Sequence, residues 1–423
     1  MNPVLLYIDP GTGSMLFAIL IGIFGAAVYV FKTWLVKIKF FISSGKAEVS
    51  DDAFPLCIFS DDKRYWNVFE PVCAELARRN ISVKYLTASP DDPALSCTYD
   101  NFSPEFIGEG NKAFAKLNFL KARILLSTTP GLDVYQWKRS KDVKYYLHML
   151  HACDGVTAYR MFGLDYYDGV LLSGKYQEND LRALEHLRNL KEKEIEYIGI
   201  PYMDKMKDRI NTASSDNSKL NNDGKIILLA PSWGPSSILN KYGAKFIQSL
   251  IDTGYHIIVR PHPQSFSSEK DLMDRLMSQF PVSDKFEWNR DNDNFNVLNK
   301  ADVLISDFSA VTYDFALVYD KPIIYADTEF DKSPYDAWWL DTPFWTFTAL
   351  PRIGMKLSEE NLENVKDMID EVLFDPKYAD GRDEVRCETW CHPGEGAVRA
   401  ADFIERKLKE LSEKKEKDIA EKE

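Results

Sequence analysis

The feature that most restricts this chain is a repeated alternation of short apolar runs with amphipathic stretches. Strand, helix, strand in repetition folds as a parallel sheet with helices on its faces. Residues 54–60, FPLCIFS, read as a strand, 66–79 as a helix and 81–86 as the next strand. The rhythm returns as strands at 122–127, 143–146, 169–173 and 195–198, with a charged helix over 178–193. Residues 211–223, NTASSDNSKLNND, break it with a linker composition. It then restarts, with strands at 225–230, 255–260, 303–306 and 323–325 and helices over 238–252, 269–279 and 310–319. The pattern predicts two α/β domains, an N-terminal one over 53–210 and a C-terminal one over 224–403. Two facing domains of this kind hold ligands at the carboxyl ends of their strands. From Lys407 onward the chain is mostly Lys and Glu, so 404–423 are expected to form a solvated, charged helical tail.

A second feature lies before the first strand. Residues 15–31, MLFAILIGIFGAAVYVF, contain no charge and no amide side chain. That is the short end of the roughly 17–25 residues that span a bilayer as a helix. Trp34 and Leu35 extend the run toward the interface, with Lys32 able to snorkel. No Lys or Arg precedes it, whereas Lys32, Lys37, Lys39 and Lys46 follow. The expectation is one transmembrane helix over 15–35, a short extracytoplasmic segment at 1–14 and a juxtamembrane linker at 36–52. The charge asymmetry predicts a single-pass protein of the cell membrane with its catalytic domains in the cytoplasm. A cleaved signal peptide fits less well, because the basic residues lie on the wrong side.

The 423 residues are 45% apolar and 28% charged, with a net charge of −13. This balance excludes a disordered chain, and the acidity argues against nucleic acid as a partner. A local basic corner for a nucleotide remains compatible with it. The six cysteines are scattered, as suits a reducing compartment. Cys387 and Cys391-His392 have no second ligand pair at zinc spacing, so no metal is expected.

Three segments of the C-terminal half carry candidate chemistry. The strand ending at Arg260-Pro261-His262-Pro263 places a guanidinium and an imidazole at its exit, stiffened by two prolines. Arg binds phosphate through a planar fork, and His can donate to or protonate a leaving phosphate. The second segment runs from Ser306 to Ala316. Its helix is expected to start near Ser309 as N-cap and so to form an anion site, with Asp314 in reach of ribose hydroxyls. The third is Ala230-Pro231-Ser232-Trp233-Gly234, where Ser232 can approach a ligand and Trp233 can line the cleft. In the N-terminal half, His148 and His151 follow a strand at a spacing that shares one face if helical. One acts as acid or base and the other is structural. His186 reads as exposed and His256 as packed.

At these residues the sequence resembles the CDP-glycerol glycerophosphotransferase family, the teichoic-acid primases and polymerases, over about 140–400. Arg260-Pro261-His262-Pro263 is similar to the family's Arg-x-His-Pro. Ser306 to Ala316 followed by Lys321-Pro322 is similar to its Asp-Tyr-Ser-Ser-x-x-x-Asp-Tyr/Phe-Ala…Lys-Pro segment. Ala230-Pro231-Ser232-Trp233 resembles Ala-Pro-Thr-Trp, and Gly199 to Asp204 resembles Gly-x-Pro-x-x-Asp. The family's His-Gly-Thr-Pro segment is replaced here by His151-Ala152-Cys153-Asp154.

The resemblance implies a GT-B-like pair of Rossmann-like domains and a CDP-activated donor. It implies His262, Ser309 and Asp314 in donor binding and catalysis and His151 as the base; the strand-exit reading adds Arg260, Ser306 and Ser232 as donor-binding residues. No cofactor is expected, since the donor, CDP-glycerol or a similar molecule, is a substrate. The expected reaction moves glycerol phosphate, or a similar polyol phosphate, to a hydroxyl of a lipid-linked or cell-surface carbohydrate, as in teichoic-acid synthesis. A GT-B glycosyltransferase using a UDP- or GDP-sugar, or an inactive nucleotide-binding membrane protein, is the alternative. The aromatic run at 335–347 is expected to pack in the core or between domains, and otherwise to meet an acceptor or a membrane.

Overall fold

The computed structural model describes residues 53–213, 224–291 and 293–420. The chain divides into two compact units, Met1–Ala53 and Phe54–Glu423. The expected membrane helix at 15–35, its flanks and most of the 211–223 linker lie outside the described residues. Among the described residues no helix is long and apolar enough to cross a membrane.

Two parallel sheets organise the second unit. The first is built from β1 (Phe54–Ser60), β2 (Val83–Thr87), β3 (Phe102–Phe106), β4 (Ala122–Ser127), β5 (Val143–Met149), β6 (Gly169–Leu172) and β7 (Glu194–Tyr197). Its order is β3-β2-β1-β4-β5-β6-β7. The second comprises β8 (Ile226–Leu229), β9 (His256–Val259), β10 (Phe286–Trp288), β11 (Val303–Ser306), β12 (Ile323–Ala326) and β13 (Gly354–Leu357), ordered β10-β9-β8-β11-β12-β13. Strand order reverses between β1 and β4 and between β8 and β11. Those are the switch points where an open parallel sheet leaves a crevice at its carboxyl edge. The pairs Phe59↔Ser127 and Leu229↔Ile305 bring the strand ends at each switch point level. β1, β8 and β11 are continuous apolar runs because helices cover both faces, so every inner position must be apolar.

Several elements depart from expectation. The 238–252 helix is two, Ile238–Lys241 and Gly243–Asp252, and Gly243 at the joint has φ +47°. The 310–319 helix is a short α-turn, Val311–Tyr313, that widens into a π-turn, Asp314–Val318. β5 runs on to Met149, so His148 lies in a strand and does not share a helical face with His151.

The largest correction concerns the C-terminus. The expected boundary at 403 and solvated tail give way to one helix, Gly396–Ala420, that returns to the first sheet. Ala400, Ala401, Phe403 and Ile404 are buried in the same core as Leu56, Ile58 and Phe69. Burying Phe403 alone is worth about 1.5–3 kcal/mol. Lys407 pairs with Glu194 at 2.5 Å, Arg406 with Glu196 at 2.8 Å, and Arg79 with Asp402 at 2.6 Å. The charges thus flank an apolar stripe.

The Gly199–Asp204 segment fastens this return. Gly199 has φ +78°, and a Cβ there would lie 2.1 Å from the Cys391 carbonyl oxygen. Only glycine permits that approach. Asp204 then accepts from the N–H groups of Gly394 (2.7 Å) and Gly396 (2.9 Å) and from Trp390 Nε1 (2.8 Å), capping the last helix.

The aromatic run joins the two sheets. Asp336 is buried and accepts from the N–H groups of Phe162 (2.8 Å) and Gly163 (3.2 Å) and from Arg188. Its own N–H donates to the Tyr159 carbonyl at 2.8 Å. Trp345 packs against Tyr176 at a tilt of 37°, with ring centroids 4.4 Å apart. Packing between the sheets therefore accounts for Asp336 and Trp345, while Trp338, Trp339 and Phe347 stay exposed.

Candidate functional site

The switch points predict where chemistry collects, and the loops leaving β1, β4, β5, β8, β9 and β11 carry it. From the second sheet, the β9 exit presents Arg260 and His262, both half-buried. Arg260 donates from Nη1 to Asn289 Oδ1, which fixes one edge of the fork. His262 Nδ1 accepts the Gln264 N–H at 3.1 Å. That contact assigns the proton to Nε2, so the outward-facing nitrogen is a donor. Burial pushes His262 down to about 4, and the positive charges of Arg64 and Arg260 add to the shift against the opposing charge of Asp62. The ring is therefore neutral at pH 7. Trp233 lies beside it, with ring centroids 6.4 Å apart.

The β11 exit differs from the expected cap. Ser306 is buried and its hydroxyl donates to the Ala230 carbonyl at 2.6 Å, tying β11 to β8. Asp307 is fully buried and accepts the N–H groups of Ser232 (2.8 Å) and Ile238 (3.0 Å). Asp307 thus shapes the 230–238 loop and takes the Ser232 N–H, while the Ser232 hydroxyl is buried without a hydrogen-bond partner among the described residues. Ser309 does not cap the helix with its side chain, since Ala310 holds the capping position and no side-chain cap bond forms there. The Ser309 hydroxyl has no hydrogen-bond partner among the described residues. Asp314 follows on the π-turn, a widening that recurs at functional sites. Lys321, of the Lys-Pro pair, is structural. Its Nζ donates to the carbonyls of Asn299 and Ala301, both at 2.7 Å, closing the end of helix Phe295–Lys300.

From the first sheet, His151 leaves β5 half-buried. Its Nδ1 lies 3.0 Å from Thr128 Oγ1 and 3.5 Å from the Tyr159 hydroxyl. The same Tyr159 hydroxyl is 2.9 Å from His148 Nε2. His148 is fully buried in β5 and its Nδ1 has no partner. Burial holds His148 well below the usual imidazole range. His148 is thus the structural member of the pair, and His151 is the one with access. Burial, reinforced by Arg64, pushes His151 down to about 4. His186 shows the ordinary exposure of its charged helix, and His256 is half-buried at the start of β9.

Two further parts of the site, the β1 exit and Asp154, carry no motif in the sequence. The β1 exit, Asp61 to Arg64, lies at the first sheet's switch point, and that position alone could have flagged it. Thr129 Oγ1 donates to Asp61 at 2.9 Å, and Arg64 donates to Asp62 from Nε at 2.9 Å and from Nη2 at 3.2 Å. Tyr65 packs edge-on against His151 at 5.1 Å. Asp154 is the other. Burial pushes its carboxyl up to about 7, and Asp314 is pushed up to about 7 by burial and by the charge of Asp154. The Asp154 Oδ1 atom is buried without a partner. Two buried carboxyls, one from each sheet, are therefore favoured in the neutral form, and the charge of Asp154 acts on Asp314. Among the described residues no three His, Cys, Asp or Glu side chains converge as a metal site requires.

The arrangement sets a neutral imidazole donor and a guanidinium on one side, and a neutral imidazole with a free second nitrogen on the other. Such a pair can hold a diphosphate and take a proton from a hydroxyl brought against it.

Comparison with known proteins fits this chemistry. Residues 164–338 match the family model for CDP-Glycerol:Poly(glycerophosphate) glycerophosphotransferase. No curated protein matches the chain in sequence. A solved structure of the wall teichoic acid polymerase TagF with CDPG is similar with a TM-score of 0.57 at 15% identity, covering 91% of this chain and 99% of that one. The UDP-GlcNAc 2-epimerase of Methanocaldococcus jannaschii, in complex with UDP-GlcNAc and UDP, is similar with a TM-score of 0.56 at 13% identity, covering 83% and 99%. At such identities these two show the shared fold, a GT-B-like pair of α/β sheets, and the family match adds the transferase class.

Proposed function

We propose that this chain, a CDP-glycerol glycerophosphotransferase-like transferase by the match over residues 164–338, moves a polyol phosphate from a CDP-activated donor to a carbohydrate hydroxyl. The observation that carries the reading is the placement of Arg260 and His262 at the β9 exit with His151 at the β5 exit of the other sheet. The donor's diphosphate lies along the β9 and β11 exits. Arg260 holds it by its planar fork, and His262 Nε2–H donates to the oxygen that leaves with CMP. The Ser309 hydroxyl completes that side.

The acceptor hydroxyl enters from the first sheet, against His151. It attacks the polyol-bearing phosphorus, a new P–O bond forms, the P–O bond to CMP breaks, and the hydroxyl proton passes to His151. A loose phosphoryl transition state asks little of the base before the leaving bond has stretched. An imidazole held near 4 can therefore orient the nucleophile first and take the proton late. The dianionic ligand itself raises that basicity once bound.

The glycerol donor, the lipid-linked acceptor, the single membrane helix at 15–35 and the cytoplasmic placement of the catalytic unit belong to the same proposal. An anchor would hold the site beside an acceptor that cannot leave the bilayer and so raise its effective concentration. The sugar-nucleotide alternative shares the fold, as the epimerase similarity illustrates, but the family match favours the CDP donor. A thermal-shift panel of CDP-glycerol, CDP-ribitol, UDP-GlcNAc and CMP on the full-length protein tests the choice. A ligand at 100 times its Kd stabilises by about 2.7 kcal/mol. The proposal expects CDP-polyols and CMP to shift the melting temperature. A shift with UDP-GlcNAc alone overturns it.

A further inference from the structure

Arg64 lies outside every segment that carries the family match, about a hundred residues before it begins. Its position is nonetheless specific. It sits on the loop that leaves β1, at the switch point of the first sheet, where the Asp61–Thr129 hydrogen bond locks that loop to the β4 exit. Its neighbour Tyr65 packs on the His151 ring. The Arg64 guanidinium carbon lies 5.9 Å from the Tyr65 ring centre, and its charge acts on both His151 and His262, one in each sheet.

The guanidinium is pre-oriented. Asp62 accepts from the Arg64 main-chain N–H and Nε, both at 2.9 Å, and from Nη2 at 3.2 Å. Nη1 has no partner among the described residues, and the side chain is 33% exposed. A cation held on one edge and open on the other is how a planar fork receives a phosphate oxygen without first losing its own freedom. The neighbouring carboxylates are already partnered: Asp62 offsets part of the Arg64 charge while fixing one edge of the fork, and Asp61 is held by Thr129 at the β4 exit.

We propose that Arg64 completes the donor site from the first sheet, its free Nη1 edge binding the phosphoryl group that is transferred, opposite Arg260 and His262. This rests on the reading of the cleft as a nucleoside-diphosphate transferase site. It adds that the transferred phosphoryl is gripped by the first sheet, and the nucleotide phosphate by the second.

The consequence is a difference between two ligands. CDP-glycerol carries the transferred phosphoryl group and CMP does not. Calorimetric titration of full-length Arg64→Gln should weaken CDP-glycerol about tenfold or more, the loss expected for one charge-assisted contact. CMP affinity should stay within about twofold. Arg64→Lys keeps the charge without the fork and should fall between. Arg260→Gln should weaken both ligands.

Equal weakening of CDP-glycerol and CMP in Arg64→Gln, or no weakening of either, overturns the assignment. If Arg260→Gln still weakens both, the donor site stands and only Arg64 is removed from it. If Arg260→Gln changes neither ligand, the reading of the cleft falls as well. Should Arg64→Gln fail to fold, Arg64→Lys decides: wild-type CDP-glycerol affinity there speaks against a fork-like phosphate grip.

Discussion

Replacing Asp336 with Ala removes the carboxylate that clasps the two sheets together. Arg188 and Asp336 are almost fully buried, at 5% and 2% side-chain exposure. Taking one partner from a buried ion pair costs about 3–5 kcal/mol, because the other charge is left uncompensated. Here Asp165 remains on Arg188 at 2.6 Å, which holds the loss to the lower part of that range. The N–H groups of Phe162 and Gly163 also lose their acceptor, at about 1–3 kcal/mol for each group left buried. Opening of the Trp339 flank lets water recover part of this. The net expectation is about 3–4 kcal/mol against local opening, a factor of several hundred in the opening equilibrium.

Hydrogen exchange read by mass spectrometry should show that loss at residues 159–163 and 335–338. The strands β1, β4, β8 and β11 should keep their protection. Asp336→Asn retains one acceptor oxygen and should lose about half as much. Unchanged exchange at Phe162 and Gly163 in the Ala variant would refute the clasp. Equal loss across both sheets would refute its local character.

Two further outcomes follow from the site. Asp314 ionises near 7 in the folded protein, above its ordinary 3.8, so folding favours the neutral carboxyl. Its contribution is complete below about pH 4 and is lost as pH rises through 7. Asp314→Asn removes that penalty, so its stability relative to wild type should improve by about 2–3 kcal/mol between pH 5 and pH 8, from two units at 1.36 kcal/mol each. Urea midpoints at the two pH values measure it, and a difference that does not change with pH contradicts the buried-carboxyl account. Tyr159→Phe removes the hydroxyl shared by His148 and His151, leaving His148 with no partner on either nitrogen. It should cost about 1–3 kcal/mol of stability and lower turnover roughly tenfold with donor affinity unchanged. Wild-type turnover in that variant would show that His151 needs no such support.

The sequence pattern located the buried strands well, because β1, β4 and β11 are covered on both faces and must be apolar throughout. It missed β3, β10 and β13, and each of these is an edge strand. An edge strand is half-solvated, so β3 can carry Pro104 and Glu105 and lose the apolar signal. The Lys- and Glu-rich C-terminus hid its packing for a related reason. Ala397, Ala400, Ala401, Phe403, Ile404, Leu408 and Leu411 recur at helical spacing, but the charges between them dominate the composition.

In the site, residue type at a strand exit pointed to Arg260 and His262, and both lie half-buried at the β9 exit. It could not separate residues that face the junction from those that build it. Ser306, Asp307, Asp204 and Lys321 all bond to main-chain groups, which only three-dimensional contacts show. Arg64 and Asp154 depend on the meeting of two sheets, a relation no local pattern records.

The central claim is that a CDP-activated polyol phosphate reacts at the junction of the two sheets. Phosphorus NMR of the full-length protein, with membranes supplying acceptor and either CDP-glycerol or UDP-GlcNAc added, tests it most directly. The account predicts CMP and a new phosphodiester signal from CDP-glycerol, no consumption of UDP-GlcNAc, and at least a hundredfold loss of CMP release in His262→Ala. Consumption of UDP-GlcNAc with CDP-glycerol left intact, or full CMP release by His262→Ala, would contradict it.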